Sequence, residues 1–285
     1  MRENPWLRRR IVNFGHQGGS FEGPSSTLFA IAQGISAGAR VIELDVHATK
    51  DRQLVVCHDE TVDRTTNGSG QICDLDLAEL FELDNAFNFI AGSDVAPGRP
   101  DVDYELRGRA PVDHAFGIAS LDEVLTSFPG VVLNLDIKRT APEVEPYEGL
   151  LAETLAAHGR DEDVIVASFN DLAIAAFRSQ SPTTPTSAAT LETADFWRAV
   201  HGNEQPRPLD VVAFQVPESQ GDLTVVDELF VDAAHRAGIA VHVWTINDQL
   251  AMHRLIDLGV DGIITDRPRL LADVLGDLAW DGSLD

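Results

Sequence analysis

Eight short runs rich in β-branched residues alternate with eight segments of helical period, and this count restricts the chain more than any other feature. The runs predict strands at 11–15, 39–46, 131–137, 164–168, 184–188, 209–216, 239–245 and 262–265. Helices are predicted between and after them, at 27–37, 121–128, 145–158, 171–180, 192–200, 225–237, 249–258 and 270–275. Gly38, Gly159, Gly238 and Gly259 stand where helix gives way to strand, a place that suits left-handed backbone. Strand and helix repeated eight times make the fold class α/β, a (β/α)8 TIM barrel. A doubly wound sheet is the alternative that the same pattern admits. With 44% hydrophobic residues the chain can bury a sizeable core, and residues 1–285 are read as a single domain.

The rhythm breaks once, at residues 47–120. A structureless loop of that length is uncommon in a compact domain, so the segment is expected to be a small insertion. It should open with a hairpin at LVVCHD and carry a short helix near 77–83. Because it follows the second strand, it belongs on the C-terminal face, where barrel enzymes keep their chemistry.

The formal net charge of -25 argues against nucleic acid and anionic membrane surfaces as partners. An anionic small-molecule substrate would need a local counter-charge. No apolar run reaches transmembrane length, and the basic residues of the first ten have no export signal behind them, so the expected compartment is the cytoplasm, without stable membrane association. Cys57 and Cys73 are read as reduced thiols, with neither a disulfide framework nor a metal-binding spacing.

Chemistry is concentrated at strand ends. His16 is followed by Gln17, Gly18 and Gly19, so a flexible loop presents an imidazole. Glu43 and Asp45 are two apart on a strand and face the same side. Two acids in a barrel mouth are tolerable around a divalent cation, which makes a hard-metal site for Mg²⁺ or Ca²⁺ the chemical reading and solvation at a strand end the plain one. Asp136 adds a third acid from the next barrel strand, with Lys138 on the same face. Three carboxylates, a dication and a lysine give a nearly neutral site that accepts a phosphate. His58 leaves the hairpin after the second strand and can overhang the same mouth, and two imidazoles can exchange the roles of acid and base in phosphodiester cleavage. His47, His114, His158 and His235 have no such company and are assigned no role.

The order of motifs resembles the glycerophosphodiester phosphodiesterase family. The family's GHRG and PENT stand here as GHQG and PSST, its I-E-x-D-V as IELDV, its V-V-x-H-D as VVCHD, its E-I-K as DIK, and its late motifs as VHVWTIN and DGIITDRP. The match runs from Gly15 to Pro268. The resemblance implies a (β/α)8 barrel with an insertion after the second strand, divalent-metal dependence, and hydrolysis of phosphodiesters to glycerol 3-phosphate and an alcohol. Carried over, Glu43, Asp45 and Asp136 would be metal ligands and His16 and His58 the acid and base. Lys138 and Gln17 would contact phosphate, and Trp244 would shape the substrate pocket; a strand tryptophan is also ordinary core.

Departures accompany the matches. The family's arginine is Gln17 here, and the glutamate and asparagine of PENT are Ser25 and Ser26. Arginine clamps phosphate with two charged hydrogen bonds, whereas glutamine offers neutral ones, which weakens binding by about 1–3 kcal/mol unless Arg64 or Lys138 compensates. The arginine and the glutamate are read as an ion pair lost as a unit, since either alone would strand a charge. Asp136 is a methylene shorter than the family's glutamate, and Glu22 is a nearby acid that can compensate. Competing readings are a lysophospholipase D or sphingomyelinase D type reaction, a binding protein that has lost turnover, and a Schiff-base aldolase on Lys138. The last is disfavoured because a lysine beside three carboxylates stays protonated.

Overall fold

The computed structural model describes residues 4–7, 11–93, 95–138 and 140–277. The arginines at 8–10 lie outside the described residues. The strands are β1 (Val12–His16), β2 (Val41–Ala48), β3 (Leu54–Val56), β4 (Ala119–Ser120), β5 (Val132–Ile137), β6 (Val164–Ala167), β7 (Ala213–Pro217), β8 (Ser219–Gln220), β9 (Leu223–Thr224), β10 (Ala240–Trp244) and β11 (Gly262–Thr265). Parallel pairing runs β6, β5, β2, β1, β11, β10, β7.

The strand predicted at 184–188 closes this ring without forming a regular ladder. Thr186 bridges Val166 of β6, and Ser187 bridges Ala213 of β7, both in parallel. Pro185 contributes a carbonyl to Val166 but has no N–H to give, which keeps the stave short. The two ends of the sheet are thereby joined, so the architecture is the TIM barrel and the doubly wound alternative falls.

The helices are α1 (Leu28–Ser36), α2 (Leu77–Phe81), α3 (Leu121–Ser127), α4 (Glu148–Ala157), α5 (Asp171–Gln180), α6 (Thr190–His201), α7 (Glu228–Ala237), α8 (Gln249–Leu258) and α9 (Pro268–Asp277). Asn170, Asp227 and Asp248 cap α5, α7 and α8 by accepting backbone N–H groups of the first turn. Helix α7 therefore starts at Glu228, and not at residue 225 as its apolar pattern predicts. Gly38, Gly159, Gly238 and Gly259 all have positive φ, as predicted for helix exits.

Period-two alternation divides the core. Ile42, Leu44, Val46, Leu133 and Leu135 point outward against the helices. Val12, Phe14, Val41 and Ile264 fill the barrel interior, with Trp6 packed against them. The insertion opens as predicted, with β3 antiparallel to β2 and β4 antiparallel to β3. It carries its own small core of Val55, Cys57, Val62, Ile72, Leu80 and Ile118. Among the described residues, no helix is long and apolar enough to cross a membrane.

Candidate active site

Strand β1 ends in a turn that only small or tolerant residues can make. Gln17, Gly18 and Gly19 have φ of 53°, 85° and 99°. A Cβ on Gly18 would lie 2.9 Å from backbone atoms of Ala30 and Ile31, so α1 sits directly on the loop. The turn leaves His16 facing the barrel mouth. Its Nδ1 donates to Asp266 Oδ1 at 2.6 Å. Asp266, just beyond β11, also accepts from Ser20 Oγ and Asn247 Nδ2, each at 2.5 Å. Burial alone would lower the His16 pKa, but the hydrogen bond to Asp266 and the charges of Glu43, Asp266 and Asp45 outweigh it, raising it from 6.5 to about 9.

Parallel register gathers the acids. His16 lies opposite Glu43, and Asp45 opposite Asp136. Lys138 Nζ lies 2.8 Å from Asp45 Oδ1 and 2.9 Å from Asp136 Oδ2, bridging the two. Burial lowers the lysine pKa, yet the two aspartates raise it further, and it stays charged. Glu43 takes the Gln17 N–H at 3.2 Å and approaches His16 Nε2 at 3.9 Å. Burial and the charge of Asp45 push the Glu43 carboxyl up; burial does the same to Asp136 against the pull of Lys138.

Among the described residues, the buried Asp45 Oδ2 and Asp136 Oδ1 have no hydrogen-bond partner. Orphaned carboxylate oxygens are costly, and a hard cation with oxygen ligands satisfies them. The donor chemistry of Glu43, Asp45 and Asp136 therefore fits Mg²⁺ or Ca²⁺. Among the described residues no three His, Cys, Asp or Glu converge closely enough to hold an ion, and Lys138 bridges the two aspartates.

The second histidine arrives from the insertion. His58 Nδ1 donates to Asp59 Oδ1 at 2.7 Å, and Asp59 is gripped by Arg64 through Nε at 2.5 Å and Nη2 at 3.1 Å. Burial would raise the Asp59 carboxyl, but these bonds hold it well below the usual range. The His16 and His58 rings are 6.2 Å apart, edge to face.

A cavity of about 820 Å³ opens above these groups, and His16, His58, Glu43, Asp45, Asp136, Lys138 and Trp244 all line it. Gln17 is buried beside it, with Nε2 3.1 Å from His16 Nε2. Glu22 lies apart, accepting from the Arg269 backbone at 2.9 Å. Asp59 and Asp266 are not among the residues expected from the sequence to act, although Asp59 directly follows His58 and Asp266 stands just beyond β11. Nor are Phe169 and Trp197, which face the cavity from its far wall.

The profile of the Glycerophosphoryl diester phosphodiesterase family matches residues 16–270. A glycerophosphodiester phosphodiesterase of Caldanaerobacter subterraneus subsp. tengcongensis is 30% identical over 266 residues, covering 93% of this chain and 98% of its own. One from Bacillus subtilis is 29% identical, covering 93% and 86%. Among solved structures, the phosphodiesterase domain of Mycobacterium tuberculosis Rv2277c superposes with a TM-score of 0.75 at 20% identity, covering 94% of this chain and 99% of that one. An Oleispira antarctica phosphodiesterase in complex with the product sn-glycerol-3-phosphate gives 0.70 at 24%, covering 94% and 96%.

Proposed function

The chain belongs to the glycerophosphoryl diester phosphodiesterase family, and on that premise we propose that it hydrolyses a glycerophosphodiester to glycerol 3-phosphate and an alcohol. The observation that carries this reading is the pair of imidazoles 6.2 Å apart, each anchored through Nδ1 to a carboxylate, above buried acids. The names of the relatives, and the product held by the Oleispira enzyme, support the same chemistry.

His58 is the base. With Nδ1–H tied to Asp59, its Nε2 draws a proton from water as the water oxygen bonds to phosphorus. His16 is the acid. Asp266 keeps a proton on its ring, and Nε2 delivers one to the alkoxide as the P–O bond to the alcohol breaks. Asp59 and Asp266 are positioning residues that fix ring orientation and tautomer. Glu43, Asp45 and Asp136 would hold a divalent cation, Mg²⁺ or Ca²⁺, which when bound supplies charge stabilisation to the phosphoryl oxygens. Lys138 adds a fixed positive charge within the cavity, a counter-charge that an anionic substrate needs in a chain of net charge -25. Trp244 and Phe169, edge to face at 5.5 Å, wall the substrate in.

The test is release of glycerol 3-phosphate from glycerophosphocholine by wild type and His16→Ala, with folding checked by circular dichroism. Loss of general acid catalysis lowers kcat by about 10²–10⁴. Undiminished release by a folded variant overturns the assignment.

A further inference from the structure

Where β5 ends, its last peptide is held by two hydroxyls that the chemistry above leaves unused. The strand stops at Ile137, and the Lys138 N–H reaches the Val46 carbonyl of β2 only at 3.4 Å, the outer limit of a hydrogen bond. The Tyr147 hydroxyl closes this gap: it accepts the Lys138 N–H at 3.0 Å and donates to the Val46 carbonyl at 2.7 Å. On the other side, the Ser168 hydroxyl donates to the Ile137 carbonyl at 2.8 Å and accepts the Asn170 N–H at 3.1 Å. The peptide between Ile137 and Lys138 is thus bound at both its oxygen and its nitrogen by side chains from different segments. Tyr147 directly precedes α4, and Ser168 directly follows β6.

Tyr147 is fully buried in the apolar cluster that holds Val46, Ile137 and Leu151, so a polar tip there needs the two partners that the strand ends supply. Burial, and the charge of Asp136, push its phenol pKa up, so the oxygen keeps the proton that Val46 receives. Thr140 Oγ1 donates to Glu148 Oε1 at 2.8 Å, both residues buried, which fastens the same loop to the first residue of α4. The peptide so held carries Lys138. Its ammonium lies 2.8 Å from Asp45 and 2.9 Å from Asp136, with the centroid of the Phe169 ring 5.7 Å away. Phe169 adjoins Ser168, so the serine that holds the lysine's peptide also places the aromatic face at its head group. A lysine stem is flexible, and its charge is aimed only when both ends are held.

We propose that Tyr147 and Ser168 are positioning residues: their hydroxyls fix the peptide between Ile137 and Lys138 and so set where the Lys138 ammonium meets the phosphate of the substrate. This rests on the phosphodiesterase reading above, in which Lys138 supplies the counter-charge. Tyr147 is fully buried and the Ser168 hydroxyl is committed to two backbone partners, so both act through the lysine. The charge of Lys138 attracts the phosphate of substrate and product alike. Misplacing it therefore weakens binding more than it slows turnover.

The test is a double-mutant cycle in saturating Mg²⁺ or Ca²⁺, with folding followed by circular dichroism. Calorimetry gives the Kd of glycerol 3-phosphate and steady-state kinetics the hydrolysis of glycerophosphocholine, for wild type, Tyr147→Phe and Ser168→Ala. Each change is also made together with Lys138→Gln, which removes the charge and keeps a polar head group. Tyr147→Phe removes one oxygen and leaves the ring, and it raises Kd and KM together by about five- to twentyfold while kcat changes by less than about threefold. Ser168→Ala acts in the same direction. In the Lys138→Gln background both changes shrink to about twofold or less in kcat/KM. An equal fold loss with and without the lysine overturns the proposal, as does an unchanged Kd in folded Tyr147→Phe and Ser168→Ala, and either leaves the phosphodiesterase reading standing. A wild type that releases no glycerol 3-phosphate from glycerophosphocholine, glycerophosphoethanolamine or glycerophosphoglycerol overturns the underlying reading instead.

Discussion

The two walls of the cavity are built from different chemistry on the same repeating scaffold. The wall formed by β1, β2 and β5 carries the buried Glu43, Asp45 and Asp136, with the half-buried His16 at the end of β1 and the half-buried Lys138 just beyond β5. The opposite wall, from the end of β6 through α6 to β7, carries Phe169, Ala188, Ala194, Trp197 and Val216. Rigid strands fix the reacting groups to within fractions of an ångström, which acid–base chemistry requires. Loops and one helix supply the apolar side, where contact area matters more than aim.

The comparison breaks most sharply on the polar wall. Asp266→Asn leaves His16 without its carboxylate partner, and kcat is expected to fall by about 10²-fold or more with KM little changed, as steady-state kinetics will read. Next in size is Lys138→Met. It strands two buried aspartates, so the metal-free protein should lose about 3–5 kcal/mol in chemical denaturation. Saturating Ca²⁺ should recover much of that loss; no recovery would mean the acids do not bind the ion.

A third test concerns the packed barrel interior. His242 is fully buried against Phe14 and Trp6, and burial lowers its pKa from 6.5 to about 3. The unfolded chain takes up the proton first, so this residue costs stability as pH falls below 6.5, continuing down to about 3. Relative to His242→Gln, wild type should lose about 2 kcal/mol more between pH 6.5 and 5. Parallel denaturation curves at the two pH values would contradict it.

The smallest effect is expected at Gln17. Gln17→Arg buries a new charge beside His16, and its gain in kcat/KM should stay under about fivefold unless Ser25→Glu accompanies it. A large gain from the single change would show that the arginine acts alone.

The polar wall was legible in the sequence and the apolar wall was not. Glu43, Asp45, Asp136 and Lys138 alternate along single strands, so period two alone places them on one face. Helices α5 and α8 have the predicted bounds because a cap and an apolar period mark them. The stave at 184–188 carries a proline, and its pairing shows only as isolated bridges. The β8–β9 hairpin has two-residue strands, too short for any periodic signal. Phe169 after β6, Ala194 and Trp197 on α6, and Leu223 in the β8–β9 hairpin come from three separate segments, and only the closed barrel brings them together. Asp59 and Asp266 were visible as letters, but their role depends on a hydrogen bond to an imidazole that no spacing encodes.

The most direct test of the central claim is glycerol 3-phosphate release from glycerophosphocholine by wild type and Glu43→Gln, across a titration of Mg²⁺ or Ca²⁺ and with a chelator. Wild-type activity should vanish with chelator and return on adding the ion, while Glu43→Gln should need far more ion and keep its fold. Full activity in chelator, or an unchanged ion requirement in the variant, would contradict the account.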